Sequence, residues 1–98
     1  MKNDFRLPAS LLDDLILRIA GEKLRNYAAI RLKWESVVGK NTAANANPVF
    51  FDKGVLKVAV SNNIWLQELI LYKHKIRARY KKLYDINIEN IIFFIGTE

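Results

Sequence analysis

The sequence predicts an α+β fold in the order helix, helix, strand, strand, helix, strand, with a three-stranded sheet packed against helices. Three stretches lead to that expectation. From Ser61 to Leu83, apolar residues recur every three or four positions, which is the helical period. From Val49 to Val60, two β-prone runs flank Asp52-Lys53-Gly54, a hairpin signal. Ile91 to Ile95 is an unbroken β-prone run that ends at Gly96.

Taken in order, residues 1–9 read as a lead and residues 10–96 as one folded unit. Ser10 is placed to cap a helix over Leu11 to Ala20, with Leu12, Leu15, Ile16 and Ile19 on its apolar face. Asp13 and Asp14 suit its first turn. Gly21 reads as its stop. A second helical stretch runs from Glu22 towards Asn45, apolar at Tyr27, Ile30, Trp34, Val37 and Val38. Gly39 predicts a bend or two helical pieces, and Pro48 marks the end.

Val49-Phe50-Phe51 and Val55 to Val60 form the hairpin, with Leu56, Val58 and Val60 on one face and Lys57 and Ala59 on the other. The chain then enters the long helix through Ser61-Asn62-Asn63, whose side chains can accept from unpaired backbone amides. One face of that helix carries Trp65, Leu69, Tyr72, Ile76, Tyr80 and Leu83. At about 100° per residue, Lys73, Arg77 and Lys81 fall to one side of this stripe, and Lys75, Arg79 and Lys82 fall to the other. Ile91 to Ile95 is apolar at both parities, so it requires cover on both faces, or cover on one and a partner on the other.

Ninety-eight residues suit a single domain. Half are hydrophobic and 27% are charged, which excludes a disordered tail. The absence of cysteine excludes disulfides and thiolate metal sites. With neither a spanning segment nor a secretory leader in view, the cytoplasm is the expected location and no membrane partner is expected. The net charge is +6. Six of the 16 basic residues lie in Lys73 to Lys82, where there is no acid, and the other ten match the ten acids. The whole excess therefore sits on half of one helix. Such a concentration favours phosphate backbones or acidic protein surfaces. Lys and Arg stems snorkelling around a buried helix would give the same pattern.

Catalytic and metal chemistry find no constellation. His74 has no second His or Cys to share a metal. Asp13 and Asp14 are neighbours that diverge on a helix, and Ser10, Ser36 and Ser61 lack a nucleophile-elbow context. The four glycines are too dispersed to cradle a phosphate. No enzyme activity, cofactor or metal is expected. Trp34 and Trp65 lie on apolar helical faces and read as core residues. Tyr72, Tyr80 and Tyr84 interleave with the cations, so they are the better candidates for contacts.

Several segments together resemble a known family. They are Trp34-Glu35-Ser36-Val37-Val38-Gly39, then the small-residue run Thr42 to Asn47 before Pro48, then Gly54 to Val60. Ser61-Asn62-Asn63-Ile64-Trp65-Leu66-Gln67-Glu68-Leu69 follows and is the most distinctive. Their order and spacing are similar to the DciA family of bacterial replicative-helicase loaders, over roughly residues 10–95. The resemblance implies a KH-like domain that engages the DnaB-type helicase and helps place it on single-stranded DNA, without an ATPase. It also marks Trp34, Gly39, Pro48, Gly54, Ser61, Trp65, Glu68 and Leu69 as the structural pattern. Longer members carry a flexible extension, and none is recognised in these residues. Gly39-Lys40-Asn41-Thr42 lacks the second glycine of a KH strand-gripping loop.

Two functions are therefore expected to compete. In one, a non-enzymatic module binds the helicase and nucleic acid through Lys73, Lys75, Arg77, Arg79, Lys81, Lys82 and Tyr84. In the other, a protein-only adaptor or homo-oligomer pairs through the Ile91 to Ile95 strand.

Overall fold

The computed structural model describes residues 9–96, and side chains at Arg18 and at residues 21–96. The lead at residues 1–8 and the side chains assigned to the cap, first turn and apolar face before Gly21 lie outside the described residues.

A long helix α1 (Ala9–Val38) is followed by the short α2 (Lys40–Asn45) and the strands β1 (Ala46–Asp52) and β2 (Val55–Val60). The helices α3 (Asn63–Leu71) and α4 (Lys73–Tyr84) then lead to β3 (Asn90–Ile95). The expected α+β order is therefore present, and the sheet runs β1-β2-β3. β1 pairs antiparallel with β2, and β2 pairs parallel with β3, so α3 and α4 form the crossover that parallel strands require.

Four expectations need correction. Gly21 does not stop the first helix, because α1 passes straight through it. An interior glycine costs only about 1 kcal/mol, which a 30-residue helix absorbs. Ser10, inside α1, is not its cap. Strand β1 begins at Ala46, ahead of Pro48, which sits nearly fully buried within the strand beside a register shift at Pro48/Phe50. A strand tolerates Pro at such an edge or bulge.

The fourth correction concerns the long helix, which is two. At Tyr72 the backbone turns through φ −96° and ψ 7°, and its N–H donates to Leu69 O at 3.1 Å in a tightened turn. No Gly or Pro stands there. As a result the continuous apolar stripe is interrupted: Leu69, Ile76 and Tyr80 are buried, whereas Tyr72 and Leu83 are exposed.

The bend at Gly39 is present, with φ +96°, a conformation that favours glycine. The hairpin also matches its sequence signal. Lys53 and Gly54 both take positive φ in a two-residue loop, as the right-handed twist of the strands demands. A Cβ at Gly54 would come within 2.9 Å of the Glu89 side chain.

The core lies between the inner sheet face and the helices. Ile30, Trp34 and Val37 of α1, spaced four and three apart, meet Leu56, Val58 and Val60 of β2, Ile91 of β3, and Leu69, Ile76 and Tyr80. Two polar groups in this core are satisfied by backbone carbonyls: Trp34 Nε1–H donates to Ala46 O at 2.8 Å, and the Tyr80 hydroxyl to Ile30 O at 2.7 Å. Burial, and secondarily Tyr84, push the Tyr80 hydroxyl well above the ordinary tyrosine range.

β3 has cover on one face only. Ile91 is buried and Phe93 half-buried, while Ile92, Phe94 and Ile95 are exposed. Asn90 N–H and Gly96 N–H donate to Gly54 O and Val60 O on the β2 side. By alternation, Ile91, Phe93 and Ile95 turn their backbone groups to the free edge, where the Asn90 side chain takes the Ile91 N–H at 2.9 Å.

Candidate nucleic-acid and partner interface

Ser61 and Asn62 enter α3 in different ways. Asn62 Oδ1 accepts the Trp65 N–H at 3.0 Å and is the cap. Ser61 instead ties β2 to the end of α2, its N–H donating to Asn45 O at 2.9 Å and its Oγ to Asn45 Oδ1 at 3.0 Å. That tether fixes where α3, and therefore α4, leaves the sheet.

The six cations all fall on α4, on both flanks of the buried Ile76 and Tyr80. Lys73 Nζ donates to Asn90 Oδ1 at 3.2 Å and Arg77 Nε to Ile88 O at 2.8 Å, so this flank runs beside the start of β3. Lys81 pairs with Asp85 at 2.9 Å, a bond and charge that together hold the Asp85 carboxyl below its ordinary range. On the opposite flank, Arg79 donates one N–H to Val37 O at 2.6 Å and Lys75 Nζ stands 5.7 Å from the Tyr72 ring centroid. Lys82 is exposed. Among the described residues, Lys81 alone of the six has a carboxylate partner. The excess charge is thus left uncompensated at the surface, and simple neutralisation by neighbouring acids does not account for it.

The tyrosines divide. Tyr80 is fully buried, which removes it from the candidate contacts. Tyr84 is half-buried, its hydroxyl 3.0 Å from Ser36 Oγ and its ring 5.1 Å from Lys33 Nζ. Tyr72 is exposed.

A groove of about 420 Å³ opens between the end of α1 with α2 and the α3–α4 turn. It is lined on the α3–α4 side by Trp65, Glu68, Leu69, Tyr72, Lys75, Ile76 and Arg79, and on the α1 side by Val37 and Val38. Asn41 and Thr42 of α2 close it. The spacing of Trp65, Leu69 and Tyr72 reads as a single buried face, and the groove is invisible in it. Only Leu69 of the three is buried, because the turn at Tyr72 swings that residue out. The one available signal was the pairing of exposed-type cations with Trp and Tyr on one helix flank.

His74 lies on a shallow surface with Arg77 and Lys81. No group of His, Cys, Asp or Glu that could hold a metal occurs among the described residues, and no helix among them is long and apolar enough to cross a membrane.

The model of a protein family described as "Dna[CI] antecedent, DciA" matches residues 8–93. The chain belongs to the DciA family. That family serves bacterial DNA replication as a helicase loader and is associated with the replicative helicase DnaB. None of the curated proteins matches the sequence. Within this DciA domain the residues of the structural pattern have separate places. Trp34 and Leu69 are core, Gly39 and Gly54 are turns, and Ser61 is a tether. Trp65 and Glu68 line the groove. Neither helix junction, at Gly39 or at Tyr72, has a Gly-x-x-Gly loop, so a strand-gripping loop of that kind is not available.

Proposed function

We propose that residues 10–96 form a non-enzymatic cytoplasmic module that binds the DnaB-type helicase and contacts single-stranded DNA directly while the helicase is placed on it. The observation that carries the nucleic-acid part is the α4 surface, where five of six cations have no carboxylate partner among the described residues. Lys73, Lys75, Arg77, Arg79, Lys81, Lys82 and Tyr84 are the candidate contacts, shared between nucleic acid and the helicase. Point charges of this kind give affinity for phosphate without choosing a sequence.

Single-strand affinity should fall steeply with salt. With about three to five phosphates neutralised, the slope of log K against log salt is about −2 to −3.5. Lys73→Glu with Lys82→Glu is the informative variant. Reversing Arg77 or Arg79 would also break their bonds to backbone carbonyls and confuse binding with folding. Unchanged DNA affinity and slope in the double variant would sink the nucleic-acid part, while helicase binding on the same sample tests the rest.

A second reading, a protein-only adaptor or homo-oligomer, is favoured by one feature. β3 is a six-residue uncharged edge strand with exposed Ile92, Phe94 and Ile95, and by alternation Phe93 and Ile95 turn backbone groups to the free edge. Sedimentation that shows mass rising with concentration, in the absence of DNA binding, would select it.

A further inference from the structure

The two flanks of α4 are chemically different. Lys73, Arg77 and Lys81 lie along an open shoulder beside β3, with polar Asn90, the Ile88 carbonyl and, at its Lys81 end only, the Asp85 carboxylate as neighbours. Lys75 and Arg79 instead line the groove together with apolar Val37, Leu69 and Ile76 and with Trp65 and Tyr72. Nucleic acid and protein place different demands on a cationic surface. A phosphate backbone needs accessible charge and is repelled by acids, whereas a protein anchor needs a desolvated apolar floor with a few charges at its rim.

The groove meets the second demand. Its volume is in the range of pockets that hold one or two side chains, and Trp, Tyr and Arg are the residues on which binding energy concentrates. Glu68 lines the same groove as the cations, so a phosphate lying in it would meet a carboxylate. Arg79 gives one N–H to Val37 O, which fixes the guanidinium at the rim and leaves its remaining N–H groups for a ligand. Just outside the groove, α3 exposes Ile64 and Leu71 on a single face, seven residues apart. An apolar helix flank of this kind next to a cation-rimmed pocket extends the surface beyond one side chain.

We infer that the groove between Trp65, Tyr72, Lys75 and Arg79 is the protein-docking site of this domain, and that it takes an acidic amphipathic segment of the helicase. A bulky apolar side chain of that segment enters over Leu69 and Ile76, and its carboxylates meet Lys75 and Arg79. Nucleic acid is left to the Lys73, Arg77, Lys81 flank and to Lys82, which does not line the groove. This inference rests on the helicase reading above and assigns it a place.

The test uses the full chain with the purified replicative helicase hexamer and, separately, a single-stranded oligonucleotide. Thr42→Phe fills the groove without changing charge. Lys75→Ala removes one rim cation, which stands 5.7 Å from the Tyr72 ring centroid. Both variants should weaken helicase binding by about tenfold or more. Both should keep the wild-type oligonucleotide affinity to within about twofold, and the same salt slope, which would be shallower by about 0.7 for each phosphate no longer engaged. Unaltered helicase binding by both variants would overturn the groove assignment and leave the helicase reading standing. A wild-type chain that binds no helicase would overturn both. A drop in oligonucleotide affinity on Thr42→Phe would assign the groove to nucleic acid instead. Thr42 is half-buried, so circular dichroism and urea midpoints accompany the first variant, and Lys75→Ala, at an exposed position, decides the matter if Thr42→Phe is unfolded.

Discussion

The domain has two Trp–Tyr pairs built from the same residue types and used in opposite ways. Trp34 and Tyr80 are buried, and each places its polar hydrogen on a backbone carbonyl from a distant part of the chain. Trp65 and Tyr72 sit at an open groove with a lysine beside the Tyr72 ring. Side-chain chemistry is therefore not what separates core from interface. The difference is completeness: the first pair has its apolar area covered and its polar atoms bonded, and the second leaves part of its apolar area exposed.

The largest expected effect breaks the first pair. Trp34→Ala removes an indole from the junction of α1 with the start of β1 and leaves Ala46 O without its side-chain donor. A Trp-to-Ala core deletion costs about 3–5 kcal/mol, a large share of the roughly 5–15 kcal/mol that holds a small domain together. Urea unfolding should show the midpoint collapsing. If Trp65→Ala costs as much in the same assay, the two tryptophans are equivalent and the comparison is wrong.

That contrast could not be read in the sequence, although much else could. The hairpin was legible because its determinants are local: Gly54 at the turn and Leu56, Val58 and Val60 alternating towards the core. Trp34 was legible as core because Ile30 and Val37 share its helix face. The parallel pairing of β3 with β2 depends on where a crossover lands, and no residue in Asn90 to Ile95 encodes that. The break at Tyr72 is also tertiary. Leu71-Tyr72-Lys73 contains no helix breaker, so the turn is dictated by the packing of Leu69 on one arm and Ile76 and Tyr80 on the other. The groove follows from that break and from Gly39, more than thirty positions earlier, which is why the cations were legible as a charged helix and not as two different surfaces. Family membership was legible because the Ser61 to Leu69 pattern is continuous in sequence.

A smaller effect sharpens the comparison from the buried side. Tyr80→Phe keeps the ring and deletes only the hydroxyl that bonds Ile30 O, at a cost of about 1–2 kcal/mol near neutrality. Its pH dependence carries the sign. Burial raises the folded-state pKa above the unfolded value of about 10. On raising the pH through that value the unfolded chain therefore loses this proton first, and stability falls. The contribution is present in full below about pH 10 and is lost above it. The wild-type advantage over Tyr80→Phe should therefore shrink when urea midpoints are followed from pH 8 to about 11. An advantage that holds constant across that window would mean the hydroxyl is not shielded as its bond to Ile30 implies.

The smallest stability effect is expected at Tyr72, and it is the most discriminating. Its side chain is 45% exposed, and its backbone, at φ −96°, lies in a region open to any residue. The turn itself is held by backbone bonds, from Tyr72 N–H to Leu69 O and from Ile76 N–H to Tyr72 O, which alanine retains. Tyr72→Ala should accordingly change the unfolding free energy by no more than about 0.5 kcal/mol, as surface substitutions do. Helicase affinity should nonetheless drop by about tenfold, because the ring forms a wall of the groove. A loss of about 2 kcal/mol in stability would place Tyr72 with Tyr80 as a structural residue. Unchanged stability with unchanged helicase binding would leave the second Trp–Tyr pair without a use, since an exposed aromatic that neither supports the fold nor meets a partner gives the groove no purpose.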